Sequence, residues 1–139
     1  MTAQTHKPKL LPEAIAEYVE NLEQYLLAQR ERRFVEGNKY VDQAYMAAKT
    51  LRHEFGQEGR KAILALLDHP DSGIRISASS DSLDFATGRA TKVLEEIEEA
   101  DQPFEGTAAH YCLKEWGEGR KQFPGGTVTL EPGESYEVL

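Results

Sequence analysis

At 139 residues the chain has the length of one domain. A chain of that size buries about two-thirds of the surface its unfolded form exposes, so its core requires neither a disulfide nor a metal. The single cysteine excludes an internal disulfide framework. Net charge is −8, and residues 61–139 hold seven Lys/Arg against fifteen Asp/Glu, which disfavours nucleic acid and suits either a solvated helix face that confers solubility or a basic protein partner.

Met1–Leu10 carries Lys7 and Lys9 but no apolar run, so no signal peptide and a cytoplasmic protein are expected, with residues 1–10 flexible. No apolar stretch approaches a membrane span. Pro12 suits a first helical turn. Ile15, Tyr18, Val19, Leu22, Tyr25 and Leu26 then recur at helical spacing, which predicts a helix to about Arg33. Early glutamates and late arginines in this stretch match the helix dipole.

Gly37-Asn38 reads as a break. Val41, Ala44, Tyr45, Ala48, Leu51 and Phe55 make a second stripe ending at Gly56. Tyr18 and Tyr45 are expected in the core. Gly56–Lys61 resembles a phosphate loop only faintly, lacks the spacing and the preceding strand, and reads as an interhelical loop. A third helix covers about Glu58–Asp68, with Ile63, Leu66 and Leu67 inward, and His69-Pro70 ends it. Asp71 or Ser72 caps a fourth helix, whose buried face starts with Ile74 and Ala78. Ser77, Ser79, Ser80 and Ser82 compete for backbone hydrogen bonds there, so neighbouring elements must hold that helix together. Thr87 is expected to cap a fifth helix bearing Ala90, Val93, Leu94 and Ile97.

Pro103 closes the regular part. Ala109, Tyr111 and Leu113 alternate with polar residues, as do Val128 and Leu130; each run is either a short strand or an extended segment lying on helices. Gly106, Gly117, Gly119, Gly125-Gly126 and Gly133, with Pro124 and Pro132, forbid a long helix after Pro103, and 119–139 is expected to be extended or partly disordered. Trp116 is expected to anchor the chain end. An offset of 30 pairs Ile63, Leu64, Leu67, Asp71, Ile74 and Ala78 with Val93, Leu94, Ile97, Asp101, Phe104 and Ala108, a faint repeat.

The predicted fold is therefore all-α: about five helices in a right-handed stack of hairpins over residues 11–118, with an irregular C-terminal segment. The residues Tyr40–Leu51, Ile63–Arg75, Arg89–Ile97 and Leu113-Lys114-Glu115-Trp116 carry a resemblance as well. Over roughly Pro12–Gly117 the chain resembles a bacterial family of domains of unknown function with hairpins like those of HEAT and armadillo repeats. Members pair a long first helix with a His-Pro-Asp-x-x-apolar-Arg segment and end near Leu-x-x-Trp. This sequence departs from the pattern at Ser79 and Ser82. The resemblance implies no catalytic residue, and it implies a possible link to toxin–immunity systems.

Candidate chemistry is sparse. Metal ligands do not cluster, and neither a metal nor a cofactor is expected. On a strand His110 and Cys112 would point the same way, which keeps a Cys–His nucleophile open beside a buried structural cysteine. Asp68 and Asp71 flank a turn, where capping explains Asp71. Arg75 is expected to reach Asp71 or Asp101 and lock neighbouring hairpins. Candidate contact residues are Tyr40 with Arg32 and Arg33, and the acidic run Glu95, Glu96, Glu98, Glu99 and Asp101. The leading expectation is a protein-binding module, immunity-type or regulatory, whose acidic face docks a basic partner. The alternatives are a small enzyme with a pocket under the C-terminal segment and a purely structural or oligomeric role.

Overall fold

The computed structural model describes residues 9–100 and 102–137; Asp101 and most of the N-terminal ten residues lie outside them. Among the described residues the regular structure is entirely helical. Six α-helices run in order: α1 (Leu11–Arg30), α2 (Phe34–Lys49), α3 (Gly56–Ala65), α4 (Ser72–Ser80), α5 (Thr87–Ala100) and α6 (Glu105–Gly117). A π-helical turn, Thr50–Glu54, continues α2, and a 3-10 turn, Leu66–Asp68, ends α3. No described helix is long and apolar enough to cross a membrane.

Helix α1 carries Pro12 in its first turn, and its stripe buries Ala14, Tyr18, Leu22 and Ala28. The break comes at Glu31–Arg33, before Gly37-Asn38, with Arg32 left-handed at φ 60°. Gly37 instead lies buried in the first turn of α2, where a Cβ would sit 3.5 Å from that of Ala28. Small residues let α1 and α2 close as a hairpin: Ala28, Ala44, Ala47 and Ala48 are all buried. Tyr45 falls outside this seam and is exposed, against expectation.

Gly56, at φ 57°, turns the chain where a side chain would be strained. It starts α3, so Gly56–Lys61 is helical and not a loop. Gly59 permits the next close approach, because a Cβ there would lie 1.9 Å from the Leu51 carbonyl oxygen. His69-Pro70 ends the 3-10 turn, and the Asp71 side chain accepts from Gly73 N at 2.8 Å to cap α4.

Ser79 in α4 and Ser82 just after it resolve the competition by bonding back one turn. Ser79 Oγ donates to the Arg75 carbonyl at 2.6 Å and Ser82 Oγ to that of Ala78 at 2.8 Å. Both side chains are thereby satisfied in full burial. Thr87 behaves likewise: its Oγ1 donates to the Leu83 carbonyl at 2.6 Å instead of capping α5.

Residues 105–117 form a helix, not a strand. Gly106, Ala109 and Cys112 recur every three residues and are buried, with α6 packed on α5. The repeat at offset 30 fails in its second half, because Phe104 and Ala108 are exposed where Ile74 and Ala78 are fully buried.

One cluster joins Tyr18, Leu22, Leu51, Ile63, Ile74 and Phe85 with Val128 and Tyr136 of the tail. The other joins Leu83, Leu94, Ile97 and Ala109 with Phe123. Each fully buried Leu or Ile contributes roughly 1.5–3 kcal/mol. Trp116 meets the tail at Phe123, ring centroids 5.9 Å apart and edge-on.

Candidate binding surfaces

The π-helical turn sets Arg52 and His53 side by side on the tail. Arg52 is wholly buried, and all five of its N–H donors are used. It forks onto Asp84 through Nη1–Oδ1 and Nη2–Oδ2, each 2.8 Å. Nη1 also donates to the Asp81 carbonyl at 2.6 Å, Nε to that of Pro124 at 3.0 Å, and Nη2 to that of Gly126 at 2.8 Å. Phe85 and Phe123 flank the guanidinium at 5.7 and 5.0 Å. His53 Nε2 lies 3.1 and 3.0 Å from the same two tail carbonyls, so it must carry the donated proton. Gly125 allows this approach: its φ is 77°, and a Cβ would lie 2.5 Å from the His53 ring.

A second buried pair holds the tail further on. Arg60 Nε and Nη2 each donate to Glu134 at 2.6 Å, and Nη1 reaches the Arg52 carbonyl at 2.9 Å. Glu134 also accepts from the Tyr136 hydroxyl and from Glu131 N. These hydrogen bonds, Arg60 foremost, hold the Glu134 carboxyl down at about 2.

Above this framework an open cavity of about 300 Å³ lies between α2 and α6. Helix α2 lines it with Val41, Ala44 and Tyr45, and α6 with Ala108, Tyr111 and Cys112. Tyr18 and Asp81 line it too, with the Tyr18 hydroxyl donating to Asp81 Oδ2 at 2.6 Å. Burial raises the pKa of both groups. A cleft of about 400 Å³ lies between the Pro70 turn and α5; Asp68, Arg75, Glu96 and Glu105 are its charged lining.

His110 and Cys112 part company on α6. Cys112 is buried and desolvation pushes its thiol up, which makes it a poor nucleophile. His110 points outward, its Nδ1 2.6 Å from Glu98 Oε2. A shared Cys–His site is thus ruled out by geometry, since residues two apart on a helix do not share a face.

Arg75 does not reach Asp71. Its Nη1 donates to the carbonyls of His69 (2.8 Å) and Pro70 (3.1 Å), while Asp71 pairs with Arg30 at 3.2 Å. The Asp101 alternative lies outside the described residues. Arg75 therefore braces a turn. Replacing it with Met is expected to cost about 1 kcal/mol, or roughly 3–5 °C in Tm by calorimetry. An unchanged Tm would remove this role.

Of the candidate contact residues, Glu95, Glu96 and Glu99 are exposed on α5, and Glu98 is half-buried beside His110. Arg33 is held between Glu31 and Glu36; Arg32 is exposed and Tyr40 half-buried. No hydrogen bond or ion pair joins Tyr40 to either arginine among the described residues. Sequence reasoning missed Arg52, Asp84, Arg60 and Glu134. For the first two there was a signal: Arg52 follows Leu51 at the inner end of an apolar stripe, and Asp84 sits between Leu83 and Phe85.

The crystal structure of the protein RPA1889 from Rhodopseudomonas palustris CGA009 has the same fold. It aligns over 79% of this chain and 90% of its own, with a TM-score of 0.73 at 20% sequence identity. None of the curated proteins compared matches the chain. The family model of a domain of unknown function, DUF2019, matches residues 21–116, more than half the sequence. The chain therefore belongs to the DUF2019 family of domains of unknown function.

Proposed function

We propose that this protein is a protein-binding module, immunity-type or regulatory in kind, that docks a basic segment of a partner on the face of α5. The helices are read as HEAT-like hairpins. That reading is supported by the α1/α2 and α5/α6 pairs and by the Pro-Asp turn followed by Ile74-Arg75. One observation carries the functional reading: Glu96, exposed on α5 between Glu95 and Glu99, also lines the cleft that Asp68 and Glu105 enter. Arg75, the cation of that cleft, is turned onto two backbone carbonyls. A lysine- or arginine-rich segment complements such a surface in charge, and rim charges of this kind set association rate and specificity.

The test is capture of partners from the native cell at low and high salt, with the wild type and with a Glu95→Lys, Glu96→Lys, Glu99→Lys variant. Exposed substitutions leave stability within about 0.5 kcal/mol. A basic protein retained at low salt, released at high salt and lost by the variant is the expected outcome. A partner that the variant retains equally well, or no partner at either salt, would sink the proposal.

A further inference from the structure

The cavity between α2 and α6 shares no lining residue with the α5 cleft, and its chemistry differs. Asp81 is the group that sets it. Oδ2 accepts the Tyr18 hydroxyl, whereas Oδ1 accepts no hydrogen bond among the described residues. No buried side-chain N or O among those residues lacks a partner. Oδ1 must therefore reach open space, and Asp81 lines this cavity.

Two cations stand near it, Arg52 and Lys121, and neither donates a hydrogen bond to the Asp81 carboxyl among the described residues. Every donor of Arg52 is committed as described above, and neither Asp81 carboxyl oxygen is among its acceptors. Lys121 also lines the cavity; its Nζ is turned to the tail, donating to the Gln122 carbonyl at 2.8 Å and lying 4.7 Å from the centre of the Phe123 ring. Glu115 adds a second carboxyl to the lining. Two tyrosines are among its lining, Tyr45 from α2 and Tyr111 from α6, 51% and 56% exposed. Leu22, Val41 and Ile76 are part of its apolar lining.

We propose that this cavity is a binding site for a small primary alkylammonium. Its N–H donates to Asp81 Oδ1, its aliphatic stem lies on Leu22, Val41 and Ile76, and its charge is flanked by the faces of Tyr45 and Tyr111. An ammonium on Oδ1 favours the ionised carboxyl and offsets the desolvation that raises Asp81. Tyrosine faces attract cations through their quadrupole. An anion meets two carboxyls against the one ammonium of Lys121 here, and a neutral ligand brings Oδ1 no charged donor. A volume of about 300 Å³ is the lower end of small-molecule sites.

The experiment titrates n-butylammonium, n-butanol and n-butyrate into the 15N-labelled full chain and follows amide shifts. The expected result is saturable shifts at Ile76, Asp81 and Ala108 with butylammonium alone, at a roughly millimolar Kd. Asp81→Asn is expected to weaken binding about tenfold or more. Tyr18→Phe keeps the carboxyl and is expected to bind at least as well as the wild type. Tyr45→Ala and Tyr111→Ala, both at exposed rim positions, are each expected to weaken binding roughly two- to fivefold. These two decide the matter if Asp81→Asn does not fold, as judged by circular dichroism. Equal binding of butanol and butylammonium, wild-type affinity in a folded Asp81→Asn, or wild-type affinity in both rim variants would overturn the proposal.

Discussion

Replacing Arg52 with Met is expected to lower the unfolding free energy by about 3–5 kcal/mol, the cost of leaving one partner of a buried ion pair alone. Domains of this kind have about 5–15 kcal/mol in total, so the loss is a large share of it. The cause is specific. Asp84 is 3% exposed and would be left with Val128 N at 2.8 Å as its remaining hydrogen-bond donor among the described residues. The carbonyls of Asp81, Pro124 and Gly126 would each lose a charged donor. Methionine fills part of the space between Phe85 and Phe123 but satisfies none of these groups. Urea unfolding at neutral pH measures the effect. The double variant Arg52→Met, Asp84→Asn removes the stranded charge, and it is expected to regain about 1–2 kcal/mol relative to Arg52→Met. A single variant within 1 kcal/mol of the wild type would show that this pair does not hold the tail.

The helices were legible wherever a stripe of period 3.6 faced one core. Tyr18, Leu22, Ile63, Ile74, Leu94 and Ile97 were read inward and lie there. Helix α6 was misread because Ala109, Tyr111 and Leu113 happen to alternate, while the helical signal, Gly106–Ala109–Cys112, is carried by small residues. The α1/α2 break was misplaced for the opposite reason. A glycine in a first helical turn is tolerated and here packs on Ala28, whereas the actual turn uses Arg32 at positive φ with no glycine or proline to mark it.

The candidate surfaces were less legible. The acidic run of α5 is visible in one dimension, but its meeting with Asp68 and Glu105 depends on the Pro70 turn folding back onto α5. Asp81 became a candidate only once α1, α2, α4 and α6 had been brought around it. The buried ion pairs join residues 32 and 74 positions apart, a separation that no local pattern reports. Glu134 lies beyond the residues matched by the family model, whereas Arg60 lies within them. The second pair therefore fastens the tail to the family domain.

That pair makes stability depend on acidity. The Glu134 carboxyl titrates at about 2 in the folded chain against an ordinary value of 4.5. Its pKa is depressed on folding, so its contribution is fully present above the ordinary value and is lost as pH falls from about 4.5 towards 2. The shift corresponds to about 3 kcal/mol. Tyr136 carries the mirror effect. Burial, then the hydrogen bond to Glu134, raises it from 10.0 to about 12, so its contribution holds below pH 10 and fades as pH rises towards 12. Glu134→Gln is expected to cost about 2–4 kcal/mol at neutral pH, because Arg60, 5% exposed, is left without its counter-charge. The same variant lacks the acid-titrating group, so its deficit is expected to shrink to about 1 kcal/mol at pH 2. Urea unfolding of both proteins between pH 7 and pH 2 measures this convergence. Parallel stability curves would mean that the Arg60–Glu134 contact does not depend on the charge of Glu134.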